Sequence, residues 1–342
     1  MELGVSVIIC CYNSAKRLPQ TLKHLAAQQV PANIPWEVIV IDNASTDDTY
    51  ALASQLWEAE NTTAAGFKLL RQPIPGKNHA FNMGVEQAKF EFILTCDDDN
   101  WLNPNYIHLA YDIMLADSKI GALGGFGIIE PEQPALLPQA ELEKITVHSS
   151  QTWATEQHWV YGAGSVYRKS ILTNLAANNW QQVTKGRTGT SLICGEDVEF
   201  CFIFYLSGYK IIADDRLTFK HFIPHGRQNA AYIAKLSYWM AYTNVLLYSY
   251  FAILNQEKKP IERVLKNWLF STAKAIIKQN ILLVLKPFKS ASAATHAPLQ
   301  LKGLGGTFNA LRQNSKRIVK HHYHIKNLLT KINSPQQTPT PA

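Results

Sequence analysis

Four clusters of residues in this 342-residue chain have the types and spacing to do chemistry. Asp97-Asp98-Asp99 follows directly on an apolar run, Phe90–Cys96. Three adjacent carboxylates repel one another unless a cation or open water offsets the crowding. Hard ions such as Mg²⁺ and Mn²⁺ take carboxylate oxygens together with substrate phosphates, so Asp99, with Asp97, is a candidate metal site. A solvated acidic loop capping a helix at Asn103-Pro104 would explain the triplet without any ion. The second cluster is Gly195-Glu196-Asp197-Val198-Glu199-Phe200, where Glu196 and Asp197 open a helical apolar pattern. Acids are favoured at that end of the helix dipole for structural reasons alone. The same place keeps a carboxylate ionised, as a general base for a hydroxyl proton must be. His221 lies between Phe219 and Phe222 and reads either as a core histidine or as a third metal ligand, with His225 the neighbouring alternative. Gly76-Lys77-Asn78 precedes a helix expected to begin near His79, and a lysine and backbone N–H groups at such a terminus suit a phosphate.

Something must bring these clusters together. Val5–Cys11, Glu37–Ile41, Phe67–Leu70 and Phe90–Cys96 are short runs rich in apolar and β-branched residues, which predict strands. Helical spacing separates them: Leu18, Leu22 and Leu25 after Ser14, a stretch from Asn43 to about Glu60, and 78–89. Strands alternating with helices of this length predict βαβ units, hence an α/β fold with a parallel sheet. Ligands in such sheets bind beyond the carboxyl ends of the strands. Those ends carry Tyr12-Asn13, Asp42-Asn43 and Asp97-Asp98-Asp99, so three strands deliver polar or acidic groups to one edge. A further strand is expected at Lys210–Ala213, whereas 126–192 looks irregular.

Charge divides the chain. Residues 1–255 carry 18 Lys and Arg against 24 Asp and Glu, while residues 256–342 carry 15 against 2. A basic appendage on an acidic body points to an anionic partner. An acidic membrane surface is favoured over nucleic acid, because no nucleic-acid module accompanies the charge. Leu236–Gln256 has no charged residue and would just span a bilayer, yet Ser237, Thr243, Asn244 and Ser249 favour a packed or membrane-lying helix. Trp268–Phe288 mixes Leu, Ile and Phe with Lys274, Lys278 and Lys286, as an interfacial helix would. The expected organisation is a catalytic-type domain over 1–230, a basic helical extension over 231–333, and a Pro/Gln/Thr-rich disordered tail over 334–342. Five cysteines, none in a CxxC pair, read as free thiols. The start Met1-Glu2-Leu3-Gly4 lacks the basic region of a signal peptide, which suggests a cytoplasmic protein, peripheral at the inner face of the cell membrane.

Taken in order, these stretches resemble the family 2 glycosyltransferases of GT-A fold. The resemblance rests on Val5–Asn13, Val40–Thr49, Gly76–Gly84, Cys96–Asn100, Gly195–Asp197 and the His221 region. It implies a Rossmann-like, mainly parallel sheet flanked by helices, and an inverting transfer of sugar from a nucleotide diphosphate donor, usually of UDP, to a hydroxyl acceptor. Lipid-linked saccharides are one acceptor class, and bacterial surface polysaccharide or glycolipid synthesis one setting. By the same resemblance Asp42 recognises the base with the backbone of Cys11-Tyr12-Asn13, and Lys77 and Asn78 touch the nucleotide. Asp97 contacts the ribose or the metal, Asp99 binds Mg²⁺ or Mn²⁺, and Asp197 is the base. Glu196 binds acceptor or donor hydroxyls, and Trp159 with Gly162 and Gly164 forms the acceptor-side loop. Two departures stand out. Cys11 replaces a common Thr, and no Gln-x-x-Arg-Trp motif follows, which argues for single addition; Arg227 is then a candidate diphosphate partner. A sugar-nucleotide-forming enzyme would want a basic Gly-rich signature after the first strand, absent at Cys10–Ser14. A non-catalytic nucleotide- or carbohydrate-binding component of a membrane complex is the other alternative.

Overall fold

The structure is a computed structural model that describes residues 1–60, 66–147, 155–156, 158–188, 191–284 and 293–333. The first half forms as the apolar runs predict. Strands β1 (Glu2–Cys11), β2 (Trp36–Asp42), β3 (Gly66–Arg71) and β4 (Phe90–Thr95) are parallel, linked by helices α1 (Leu18–Ala26), α2 (Thr49–Ala59) and α3 (Lys77–Gln87). Residues alternate between the sheet faces with period two. Ile8, Ile39, Ile41 and Ile93 join one core, while Val7, Ile9, Val38, Val40, Phe92 and Leu94 join the other. Each such side chain, when fully buried, stabilises the fold by about 1.5–3 kcal/mol.

The chain continues through β5 (Asn100–Leu102), α4 (Tyr106–Ala116), β6 (Ile120–Pro131), α5 (Gln139–Leu142), β7 (Thr155–Glu156), β8 (Val166–Arg168), α6 (Lys169–Ala177), α7 (Glu196–Leu206) and β9 (Lys210–Ile223). The sheet order is β3-β2-β1-β4-β8-β6-β9-β5, with β7 paired to β9. Beyond β4 the pairing turns mixed: β8 is antiparallel to both β4 and β6, and β5 antiparallel to β9, while β6 and β9 run parallel. The order reverses at β1, between β2 and β4, which opens a crevice at the strand ends. Cys11 lies level with Asp42, and Asn100 with His221, so the polar strand ends share that edge.

Two stretches expected to be irregular or short are ordered strands. β6 carries Gly121, Gly124, Gly125 and Gly127, which hides it from a reading by β propensity. Side chains there would collide: a Cβ on Gly124 would lie 2.5 Å from the Val160 Cβ. β9 runs on through Asp214-Asp215 to Ile223 because a register irregularity between Gly124 and Phe126 absorbs the two acids.

Among the described residues, four α-helices follow: α8 (Ala230–Leu246), α9 (Tyr248–Leu254), α10 (Ile261–Val284) and α11 (Ala293–Asn333). The uncharged 236–256 stretch is divided between α8 and α9, and Leu236, Val245, Leu246, Leu247 and Tyr250 are buried. Among the described residues no helix is long and apolar enough to cross a membrane. Helix α11 buries Leu311, Ile318 and Ile325 at intervals of seven, a stripe that packs on α8, α9 and α10. The core containing Ile8 and Ile93 also holds Leu246, Leu265, Leu311 and Leu328, so it is continuous across residue 230. The end of the 268–288 segment and the 334–342 tail lie outside the described residues.

Candidate active site

Each aspartate of the triplet meets a different cation. Asp97 Oδ1 is 2.9 Å from Lys77 Nζ. Asp98 accepts from Arg17 Nη2 at 2.6 Å and from Arg17 Nε at 3.2 Å, with Ser14 Oγ also donating to it. Asp99 Oδ2 is 2.8 Å from Arg227 Nη1. Three carboxylates and three cations leave the triplet close to neutral, which answers the repulsion noted in the sequence. Burial raises the Asp97 pKa, yet Lys77 beside it outweighs that and holds it at about 2. Burial and then the Asp99 charge push Asp98 the other way, against Arg17.

The donor chemistry of Asp97 and Asp99 fits a hard divalent ion. Among the described residues, however, no three His, Cys, Asp or Glu side chains converge as a ready cage. His221, not His225, is the histidine beside the triplet, its Nε2 3.8 Å from Asp99 Oδ1. His225 instead turns toward Glu132 and the Pro134 carbonyl. The His221 Nδ1 accepts from the Val147 N–H at 2.9 Å, which leaves the ring proton on Nε2. For Nε2 to bind a metal, the ring must give up that hydrogen bond.

The second cluster faces the first across Lys77. Helix α3 begins at Lys77, after Gly76 at φ +137°, and Lys77 Nζ lies between Asp97 and Glu196 Oε1, the latter at 3.5 Å. Helix α7 begins at Glu196, after Gly195 in the left-handed region. Asp197 Oδ2 accepts from the Gly162 N–H at 2.6 Å and Oδ1 from the Val198 N–H at 2.9 Å. Burial, then the neighbouring Glu196 charge, pushes the Asp197 pKa up to about 6. Lys77, Asn78, Thr95, Gly162, Glu196 and Asp197 line part of a cavity of about 30 Å³, the room of about one water. Asn78 Oδ1, Gln182 Nε2 and Glu196 Oε2 are buried there without a protein partner. Trp159 is exposed, edge-on to Tyr161. Gly164 lies away from this cavity, its carbonyl accepting from Tyr106 Oη at 2.6 Å; a Cβ there would meet that same oxygen.

At the far end of the crevice Cys11 turns its side chain into the core, and its carbonyl accepts from the Asn43 N–H. Only the Cys11 backbone therefore faces the crevice. Asn13 has φ +49°, and its Oδ1 accepts from the Thr46 N–H at 2.8 Å. Asp42 is buried and accepts from the Ser45 N–H at 3.2 Å, while Tyr12 is exposed.

The acid–lysine–acid arrangement stands at the switch point of a mixed sheet, and the family model for glycosyl transferase family 2 matches residues 6–175. The chain belongs to glycosyl transferase family 2. Its sheet is that of the GT-A fold. A mannosyltransferase of Pyrobaculum calidifontis, PcManGT, solved with GDP-Man and Mn²⁺, shares the fold at a TM-score of 0.54 and 19% identity, over 98% of this chain and 89% of that one. The poly-β-1,6-N-acetyl-D-glucosamine synthase of Staphylococcus aureus (strain COL) is 22% identical over 212 residues, which are 61% of this chain and 47% of that protein. The Staphylococcus epidermidis enzyme of the same name is 21% identical over 217 residues, 62% of this chain and 48% of that one. The chain thus spans about half the length of the curated relatives it matches.

Several residues around these clusters carry little signal in the sequence. Arg17 was findable, as a basic residue soon after the first strand. Glu199 reads in the sequence as one more acid at a helix start, yet it is fully buried and burial pushes its pKa up to about 7. The irregular segment 180–187 gave no periodic signal, yet it borders Asn78 and Lys77. Arg187 within it has no carboxylate partner among the described residues and lies close enough to Asp97 to lower its pKa.

Proposed function

We propose that this glycosyltransferase moves a sugar from a UDP-linked donor to a hydroxyl acceptor with inversion. The observation that supports this most directly is Asp197, partly buried and pinned at both oxygens by backbone N–H groups, facing the Asp97–Lys77 pair. A carboxylate with a pKa near 6 is ionised at neutral pH and strong enough as a base to accept a proton late in bond making. Asp197 takes the acceptor hydroxyl proton as that oxygen attacks the anomeric carbon. The transition state is oxocarbenium-like, so no free alkoxide is needed. Glu196, held by Lys77, binds sugar hydroxyls, and Trp159 with the Gly162 turn forms the acceptor side. Asp42 and the backbone of Cys11, Tyr12 and Asn13 take the base, and Asp97 the ribose. Lys77, Asn78, Arg187 and Arg227 face the diphosphate. Asp99, with Asp97, would hold Mg²⁺ or Mn²⁺, and such an ion supplies charge neutralisation on the departing diphosphate. His221 orients Asp99, or ligates the ion if its Nδ1 releases Val147. Similarity to poly-β-1,6-N-acetyl-D-glucosamine synthases supports a role in surface polysaccharide synthesis.

Calorimetric titration with UDP and GDP, in Mn²⁺ and in EDTA, tests the donor reading. UDP binding that needs the metal and is lost in Asp99→Ala is expected. GDP binding alone would change the donor class, and no nucleotide binding under either condition would sink the reading.

We further propose that α10 rests on an anionic membrane surface, placing the enzyme peripherally at the inner face of the cell membrane beside a lipid-linked acceptor. Phe270, Ile277 and Ile281 are exposed along one stripe of α10, with Lys274 and Lys278 interleaved. Apolar side chains flanked by lysines suit acyl chains beneath anionic headgroups, each lysine contributing about 1 kcal/mol. A second copy of the same stripe would bring lysine against lysine, which disfavours self-association there. Sedimentation with phosphatidylglycerol-containing vesicles, and not with phosphatidylcholine alone, is expected. Unchanged sedimentation of the Ile277→Glu variant would rule the stripe out.

A further inference from the structure

Segment 180–187 has no regular structure, yet it is fastened on both sides. On one side it is tied to α7 and α9. Glu199 accepts from the Val183 N–H, from the Thr184 N–H at 3.0 Å and from Thr184 Oγ1 at 2.7 Å. Tyr250 Oη donates to Glu199 at 3.0 Å and accepts from Trp180 Nε1 at 2.9 Å. On the same side it is tied to α11. Arg317 Nη2 donates to the Val183 carbonyl at 2.6 Å, and His321 Nε2 donates to the Gln181 carbonyl at 2.9 Å while its Nδ1 faces Ser249 Oγ. The other side of the segment holds the start of α3. The Arg187 carbonyl accepts from the Lys77 N–H at 3.1 Å, and Asn78 Nδ2 donates to Gln182 Oε1 at 2.9 Å and toward the Thr184 carbonyl at 3.4 Å. Gly186 sits at φ +68°, where a Cβ would lie 2.1 Å from Asn78 Oδ1.

We propose that Arg317 and His321, on the C-terminal helix, are positioning residues for the donor side of the site: through the 180–187 strap they fix Lys77 and Asn78. Arg317 has no carboxylate partner among the described residues, so its charge is directed at a strap carbonyl, a stronger contact than a neutral donor makes. Glu199 performs the same service from the helix that carries Asp197. The strap is thereby held from the base-bearing helix and from α11 at once. The lysine that bridges Asp97 and Glu196 inherits its place from residues more than 200 positions away in sequence. This rests on the proposed donor reading only for its kinetic consequence.

The test compares the full-length wild type with Arg317→Ala, Arg317→Lys and His321→Asn. Amide hydrogen exchange is followed by mass spectrometry, and donor kinetics are measured beside it. Arg317→Ala is expected to speed exchange in 180–187 and at the Lys77 amide about tenfold, with β1 and β2 unchanged and Arg317→Lys intermediate. The donor KM should rise about tenfold, with kcat within about twofold and the acceptor KM unchanged. Should the alanine variant fail to fold, Arg317→Lys and His321→Asn carry the same comparison. Unchanged exchange at Lys77, exchange raised evenly through the chain, or a kcat that falls with folded fraction while the donor KM holds would each overturn the proposal. A wild type that turns over no nucleotide sugar would sink the donor reading alone, because exchange at Lys77 still decides the link.

Discussion

At the scale of single residues, the raised pKa of Asp197 has a signed consequence. The group must be ionised to accept a proton, and burial with Glu196 places its pKa near 6. Catalytic efficiency should therefore fall as pH drops through about 6 and be flat above it, a limb that a pH profile of kcat/KM would show. Asp197→Asn should lower kcat by about 10²–10⁴-fold while nucleotide binding persists. If its turnover stays at the wild-type rate, Asp197 is not the base. Arg17 makes a different kind of prediction. Removing it leaves the Asp98 carboxylate buried beside Asp99 with the Ser14 hydroxyl as its partner, so Arg17→Ala should cost about 3 kcal/mol in denaturant unfolding. The aspartates were legible in the sequence because they are adjacent. Their cations were not, because Arg17 pairs across 81 residues and Arg227 across 128.

At the scale of elements, the parallel strands were readable because each is a run of buried apolar residues ending in a polar one. β6 was not, since its glycines are there to let Val160, Tyr106 and Phe219 approach, and close approach leaves no hydrophobic pattern. Segment 180–187 was invisible for a related reason: what orders it is hydrogen bonding to distant helices rather than local propensity. The seating of α3 gives a test at this scale. A Cβ on Gly84 would lie 2.8 Å from Ile8 and 3.1 Å from Ile41, so α3 needs glycine to lie flat on β1 and β2. Gly84→Ala gains about 1 kcal/mol of helix propensity but overpacks the contact by about 1–3 kcal/mol. A net loss of stability is expected, accompanied by a raised donor KM because Lys77 rides on the same helix. A stabilised variant with unchanged KM would show that the contact relaxes freely.

At the scale of the whole molecule, the sequence suggests a body ending near residue 230 and a basic extension, a division that charge makes vivid. Packing does not follow charge. The buried side of α8 to α11 merges with the core beneath the sheet, and the lysines lie mainly on the outward faces. A single cooperative transition, with calorimetric and van't Hoff enthalpies equal, is the expected outcome for the full chain. Two separated transitions would restore an independent extension.

Helix α11 is also gauged at two places along its length. Near one, Asn309 and Asn314 donate to the hydroxyls of Tyr238 and Tyr242 on α8; near the other, Arg317 and His321 grip the strap. An α-helix advances about 1.5 Å and turns about 100° per residue. One residue inserted between Asn314 and Arg317 would keep either set of contacts in phase, never both. The helix thus acts as a ruler whose graduations are set by the tyrosines at one mark and read by the strap at the other. Its composition can drift along the outward face, but its length between those marks cannot.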